Sequence, residues 1–148
     1  MSIDSTIIES FILNNKIDLI LSATTENLDT ADDLVTAFLQ EKNFTSDLFS
    51  CRMLLREGLM NAVVHGCDTD HNLIVKMIAE VTGENVYVLK IIDPGKGFAW
   101  QKNDENVPDA KQACGRGIAH MKRYSDSIEY NDSDNVIIMM KNLAHSNV

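Results

Sequence analysis

Three short segments of this chain carry residue types that could do chemistry together. The first, REGLMNAVVHG at residues 56–66, sets Glu57, Asn61 and His65 at four-residue steps. On a helix that spacing places the three side chains in one stripe. Such a stripe is more often a solvated helix side than a site, yet a glutamate and an asparagine one turn apart can act together. The amide oxygen of Asn61 can ligate Mg2+, a hard cation that takes oxygen donors and keeps several waters. The carboxylate of Glu57 can accept a proton from an attacking hydroxyl or water. The second segment, KIIDPGKGF, puts Asp93 at the end of an apolar run and follows it with Gly95 and Gly97. A strand ending there presents the carboxylate at a sheet edge, and the glycines let a flat ligand approach the backbone closely. The third, ACGRGIAHM, opens a predicted helix with Gly115, Arg116 and Gly117. Free N–H groups at a helix start form a natural phosphate site.

Four of the seven glycines thus fall in two G-x-G pairs, and both prolines, Pro94 and Pro108, lie in the same region. Neither pair is a known phosphate fingerprint by itself. GKGFAW lacks both the Lys-Ser/Thr of a P-loop and the third glycine of a dinucleotide turn. One G-x-G would be read as an ordinary turn. Two of them bracketing a stretch without periodicity, residues 93–114, point to a functional lid, because a structureless loop of that length is unusual inside a compact domain.

The elements that must position these segments follow from periodicity. Residues 3–15 hold Ile3, Ile7, Ile8, Phe11 and Ile12 at helical spacing and predict a short amphipathic N-terminal helix. Ile17 to Ala23 reads as a strand, and Thr25 to Gln40 as a helix with acids in its first half. A second helix starts at Thr45 or Ser46 and runs to Gly66, burying Leu55, Leu59, Ala62 and Val63 beside the polar stripe. Leu73 to Val81 and Val86 to Ile92 form a hairpin over residues 82–85, Gly115 to Tyr124 is helical, and Ser127 to Tyr130 pairs with Val136 to Lys141. Paired strands beside helices predict an α+β fold: a two-layer sandwich with helices on one face of a mixed, mostly antiparallel sheet.

The 148 residues suit one domain, residues 1–148, with 45% apolar and 24% charged content. Twenty-two acids against 13 basic residues give a net charge of -9 and argue against binding nucleic acid or an anionic membrane, both of which need a basic face. An anionic ligand must therefore be held by local geometry. Cys51, Cys67 and Cys114 have no zinc-type spacing and no even count, so reduced thiols in a cytoplasmic protein are expected. The N-terminus shows no signal peptide, and no apolar run approaches the ~20 residues of a membrane span.

Taken in order, the three segments resemble the motifs of the GHKL ATPase superfamily, whose fold is the Bergerat, histidine-kinase-like ATPase fold. Glu57-x-x-x-Asn61 with His65-Gly66 is similar to the N box, Asp93-x-Gly95-x-Gly97 to the first glycine box and Gly115-x-Gly117 to the second. The resemblance spans roughly Ile17 to Lys141, with residues 1–16 as an extension and residues 98–114 as the ATP lid. Within the superfamily, Glu57-Gly-Leu-Met-Asn61-Ala-Val-Val-His65-Gly66 resembles the anti-sigma-factor serine/threonine kinases of bacterial partner-switching systems. What the resemblance implies is ATP and Mg2+ as cofactors, Asn61 on the metal, and Glu57 as general base toward a serine or threonine hydroxyl. It implies Asp93 on the adenine amino group, Gly95 and Gly97 shaping the adenine pocket, and Gly115, Arg116 and Gly117 at the phosphates. The implied partners are a STAS-type antagonist as phosphorylation substrate and a sigma factor or similar regulator, with homodimerisation left open. The sequence departs from the family at Asp134-Asn135, where many relatives carry Gly-Thr before the last strand. His65 is expected to be structural, and His120 to be a helix-face residue. The alternative is a non-catalytic module in which ATP gates a partner surface. A histidine kinase would need a phosphoacceptor histidine ahead of His65, and gyrase- or chaperone-type ATPases would need a transducer domain.

Overall fold

The structure, a computed structural model, describes residues 7–13, 15–22, 24–62, 74–83, 85–92, 119–131 and 136–144. In chain order these hold strands β1 (Ile7–Leu13) and β2 (Lys16–Ser22) and helices α1 (Thr25–Glu41) and α2 (Leu48–Asn61). Strands β3 (Ile74–Thr82) and β4 (Val86–Ile92) follow, then a helical stretch at residues 119–124 (α3), β5 (Ser127–Asn131) and β6 (Val136–Asn142). The six strands form one sheet in the order β1-β2-β3-β4-β6-β5, and each neighbouring pair is antiparallel.

Register decides which residues share a face, because directly opposed residues point the same way. Leu19 pairs with Met77, Met77 with Ile91, Ile91 with Ile137 and Ile137 with Tyr130. The row two residues away runs Ile17, Ala79, Leu89, Met139, Ile128. These rows are the floor of the core, and α1 and α2 roof it with Leu28, Ala31, Val35, Leu39, Leu54, Leu55 and Leu59. The rows between them mix charge with aliphatic surface, as in Asp18, Ile78, Lys90 and Ile138, and are only half-buried. This alternation of period two is the pattern of a sheet with helices on one side only. The predicted α+β sandwich is the one observed.

The prediction of an N-terminal helix over residues 3–15 is wrong. β1 pairs with β2 from Ile7↔Leu21 to Leu13↔Lys16, with an irregularity between Ile7 and Glu9. A short run such as IIESFIL satisfies helical and extended patterns equally well. The extended form is selected here by tertiary context: the free edge of β2 offers unpaired N–H and C=O groups that a strand satisfies and a helix does not.

Local chemistry fixes the helix starts. Thr24 stands at the N-cap of α1 in an extended conformation, and its Oγ1 accepts the Asn27 N–H at 3.1 Å. The Asn27 side chain donates to the Ser22 carbonyl and to Ser22 Oγ, both at 2.9 Å, tying the helix start to the end of β2. After α1, Asn43 takes a left-handed φ of 65° that turns the chain, and the Phe44 N–H returns to the Leu39 carbonyl at 3.0 Å. α2 begins at Leu48, slightly later than Thr45 or Ser46, with Asp47 at its N-cap. The Asp47 carboxylate does not cap its own helix. It accepts the Ala144 N–H at 2.8 Å and so binds the helix start to the chain beyond β6. Asn85, with φ 62°, provides the left-handed residue of the β3–β4 hairpin.

Candidate functional site

The site is organised around α2, and what holds α2 in place comes first. Gly58 lies against the sheet where a Cβ would overlap Ile91 Cδ1 and come within 3.0 Å of Met139 Cε. Glycine leaves the space at this point of the helix to the ends of the Ile91 and Met139 side chains of β4 and β6. On another side of α2, Arg52 grips Asp32 of α1 with two bonds, Nε to Oδ1 and Nη2 to Oδ2, both 3.0 Å. Arg56 adds Nη1 to Asp32 Oδ2 at 2.8 Å and Nη2 to Asp29 Oδ1 at 3.0 Å. The Asp32 side chain is 3% exposed, whereas both arginines reach water. Burial pushes the Asp32 carboxyl up, but the hydrogen bonds and charges of Arg52 and Arg56 outweigh it, and the net direction is below the usual carboxylate range.

On α2 so held, Glu57 and Asn61 occupy successive turns, as the spacing predicts. Asn61 is buried, 3% exposed, and its Nδ2 has no hydrogen-bond partner among the described residues. A buried N–H donor without an acceptor costs free energy, of the order of 1–3 kcal/mol, unless an acceptor meets it. Glu57 is partly exposed, and its Oε1 lies 3.0 Å from His120 Nδ1. An ionised carboxylate only accepts, so the imidazole Nδ1–H is the donor. His120 belongs to α3, which follows the second glycine pair. Reading His120 as a plain helix-face residue missed this contact. The two residues are 63 positions apart, and no spacing rule joins them.

Asp93, Gly95, Gly97, Gly115, Arg116 and Gly117 lie outside the described residues, as do His65, Val63, residues 98–114 and Asp134-Asn135. What the structure places is their chain neighbours. β4 ends at Ile92, the residue before Asp93, and Ile91 of that strand packs under Gly58. α3, two residues beyond Gly117, meets Glu57 through His120. The elements adjoining both glycine pairs therefore converge on the helix that carries Glu57 and Asn61.

Among the described residues no group of three His, Cys, Asp or Glu is arranged to hold a metal ion. Cys51 is buried in the α2 core face, and its thiol is pushed up to about 12, mainly by burial and then by the charge of Asp47. No helix among the described residues is long and apolar enough to cross a membrane.

Comparison with known proteins bears on this arrangement. The histidine kinase-like ATPase domain family matches residues 21–141, from the end of β2 into β6. The chain is 26% identical over 144 residues to an anti-sigma F factor of Heyndrickxia coagulans, covering 91% of this chain and 97% of that protein. It is 27% identical over 148 residues to an anti-sigma F factor of Geobacillus thermodenitrificans, covering 90% and 97%. It is 29% identical over 127 residues to that of Geobacillus sp. strain WCH70, covering 78% and 82%. The family match spans 121 residues of the chain, residues 21–141, and with a six-stranded antiparallel sheet roofed by helices on one face, the chain belongs to the histidine kinase-like ATPase domain family and is an ATP-binding domain.

Proposed function

We propose that the chain is a protein serine/threonine kinase of the anti-sigma-factor type, which transfers the γ-phosphoryl of ATP to a STAS-type antagonist and binds a sigma factor or similar regulator. The observation that carries this reading is the Glu57–Asn61 pair, one side chain oriented at the margin of α2 and the other buried with an N–H donor that meets no acceptor among the described residues. The names of the relatives, anti-sigma F factors at 26–29% identity, support the partner class.

In this reading Glu57 accepts the proton of a substrate serine or threonine hydroxyl through the oxygen that His120 leaves free. The hydroxyl oxygen forms the new bond to the γ-phosphorus, and the bond from that phosphorus to the bridging oxygen breaks, releasing ADP. Asn61 would hold Mg2+ through its amide oxygen, a donor suited to a cation that takes few protein ligands when phosphates supply the rest, while its Nδ2, unpartnered among the described residues, is a donor suited to a phosphate oxygen. Bound Mg2+ would neutralise phosphate charge in a chain of net charge -9. Asp93 accepts from the adenine amino group, Gly95 and Gly97 give the base a close-fitting backbone, and Gly115, Arg116 and Gly117 meet the phosphates. Residues 98–114 form the lid.

The test is Glu57→Gln, assayed with γ-labelled ATP and a recombinant STAS-domain protein from the same genome. Transfer should fall by about 10²–10⁴-fold, the usual contribution of a general base, while ATP affinity stays within about twofold. Undiminished transfer would remove Glu57 from the mechanism. Nucleotide binding with no labelled product from the unaltered chain would replace the kinase with the non-catalytic, partner-gating module.

A further inference from the structure

We infer that His120 is a positioning residue for Glu57, fixing one carboxylate oxygen so that the other is aimed as the base. The inference rests on the proposed role of Glu57 and goes beyond it, since nothing in the motif pattern assigns a function to His120.

A glutamate has three side-chain torsions, and at 26% exposure Glu57 has room to explore several rotamers. A general base must instead sit within hydrogen-bond reach of the hydroxyl it deprotonates, and small displacements are costly. The Nδ1–H···Oε1 bond of 3.0 Å removes that freedom. It engages Oε1 and leaves the lone pairs of Oε2 for the incoming proton. It is a charge-assisted bond, the stronger kind. The nearest cation in sequence, Arg56, does not compete for Glu57, because its guanidinium is committed to Asp29 and Asp32 on α1. The His120 side chain is 44% exposed, while the backbone that carries it is seated by the buried Met121, on the element that follows the second glycine pair. The base is thus aligned by the helix that adjoins the proposed phosphate-binding segment. A bond bridging two elements 63 residues apart differs in kind from the i, i+4 pairs that decorate a solvated helix side.

The experiment compares His120→Ala, His120→Asn and Glu57→Gln in the full chain by single-turnover transfer from γ-labelled ATP to the STAS-domain protein, with ATP affinity measured separately. His120→Ala should lower the transfer rate about 10–100-fold, the scale expected for loss of alignment, with ATP affinity within about twofold. His120→Asn should recover most of the rate, because the asparagine Nδ2 reaches the place of the ring Nδ1 and donates to the same oxygen. In a Glu57→Gln background, His120→Ala should cause little further loss. Ring 15N chemical shifts give a reading independent of activity: His120 should show a protonated Nδ1 that Glu57→Gln weakens. A wild-type rate in His120→Ala, or equal loss in the Ala and Asn variants, overturns the inference while an inactive Glu57→Gln leaves the base assignment standing. Full activity in Glu57→Gln, or no transfer by the unaltered chain, overturns the base assignment and the inference with it.

Discussion

Gly58→Ala tests how α2 is seated, and its sign is decided by two opposing terms. In a helix interior, alanine is favoured over glycine by about 1 kcal/mol, so on an open face the change would stabilise. Here the added methyl would overlap Ile91 Cδ1 and approach Met139 Cε to 3.0 Å. Both neighbours are buried, at 1% and 0% exposure, so neither can swing into water. Overpacking of a filled core costs about 1–3 kcal/mol, and the net expectation is a destabilisation of about 1 kcal/mol. Ile91→Val supplies the control, since it deletes the methyl in conflict. Alone it should cost about 1 kcal/mol as a truncation. Combined with Gly58→Ala it should cost nothing or restore stability, because the new methyl fills the space the old one left. The cycle therefore predicts a favourable coupling of about 1 kcal/mol, outside the ~0.3–0.5 kcal/mol within which independent sites add. Urea unfolding followed by far-UV circular dichroism at constant m-value measures all four proteins. A Gly58→Ala protein more stable than the parent, or an additive cycle, would refute contact with these side chains as the reason for glycine at this position.

Asp32→Asn should cost about 1–2 kcal/mol at neutral pH, a figure reduced because Arg52 and Arg56 are half-exposed and regain water. The Asp32 carboxyl is lowered in the folded state, so its contribution is fully present above its ordinary value of 3.8 and is lost as pH falls through the lower folded value. Acid titration of stability should thus be steeper below about pH 4 in the parent than in the variant, and parallel curves would contradict the assignment. Asn61→Leu removes a buried amide whose Nδ2 is unpartnered among the described residues. Its melting temperature without nucleotide should be unchanged or higher, while the stabilisation conferred by Mg·ATP disappears; a retained nucleotide shift would exclude Asn61 from the site. Cys51, with its thiol near 12, should resist Ellman's reagent in native protein carrying Cys67→Ser and Cys114→Ser, and react only on unfolding. Rapid labelling of the native state would show that this core face opens.

Most of the fold was legible because its period was clear. β4 matches its predicted limits, and β2, β3, β5, β6 and α1 differ by one or two residues at their ends. Their side chains alternate or repeat cleanly, so one backbone geometry satisfies the pattern. β1 was misread because Ile7, Ile8, Phe11 and Ile12 satisfy two geometries, and the deciding partner was the edge of β2. Of the motif residues, Glu57 and Asn61 are described, and they lie on α2 as the spacing requires. The contacts that support them were not legible. Acids in the first half of α1 read as favourable to its helix dipole, yet Asp29 and Asp32 serve arginines of α2. Gly58 drew no reading from its spacing, because its environment belongs to strands 33 and 81 residues downstream. These are properties of packing between distant segments, which a local pattern does not encode.

The arrangement around α2 explains why those hidden contacts matter to the chemistry. At about 100° per residue, Leu54, Gly58, Cys51, Leu55 and Leu59 fill one continuous sector, and all of them are buried. Arg52 and Arg56 fall at one margin of that sector, and Glu57 and Asn61 at the other. The arginines face α1 and Glu57 faces α3, so the helix is tethered on both flanks of its buried face. A rotation of α2 about its axis that withdrew Glu57 from His120 would have to stretch the bonds to Asp32. A shift away from the sheet would open the contact at Gly58. The acidic balance takes on a second meaning here. Besides repelling polyanions, the acids of α1 hold two arginines on the flank of α2 opposite Glu57 and so fix the rotation that presents Glu57 to His120. Asp32→Asn should therefore lower transfer as well as stability, and more than a surface change of equal charge such as Asp33→Asn, which lies on the same helix but is exposed.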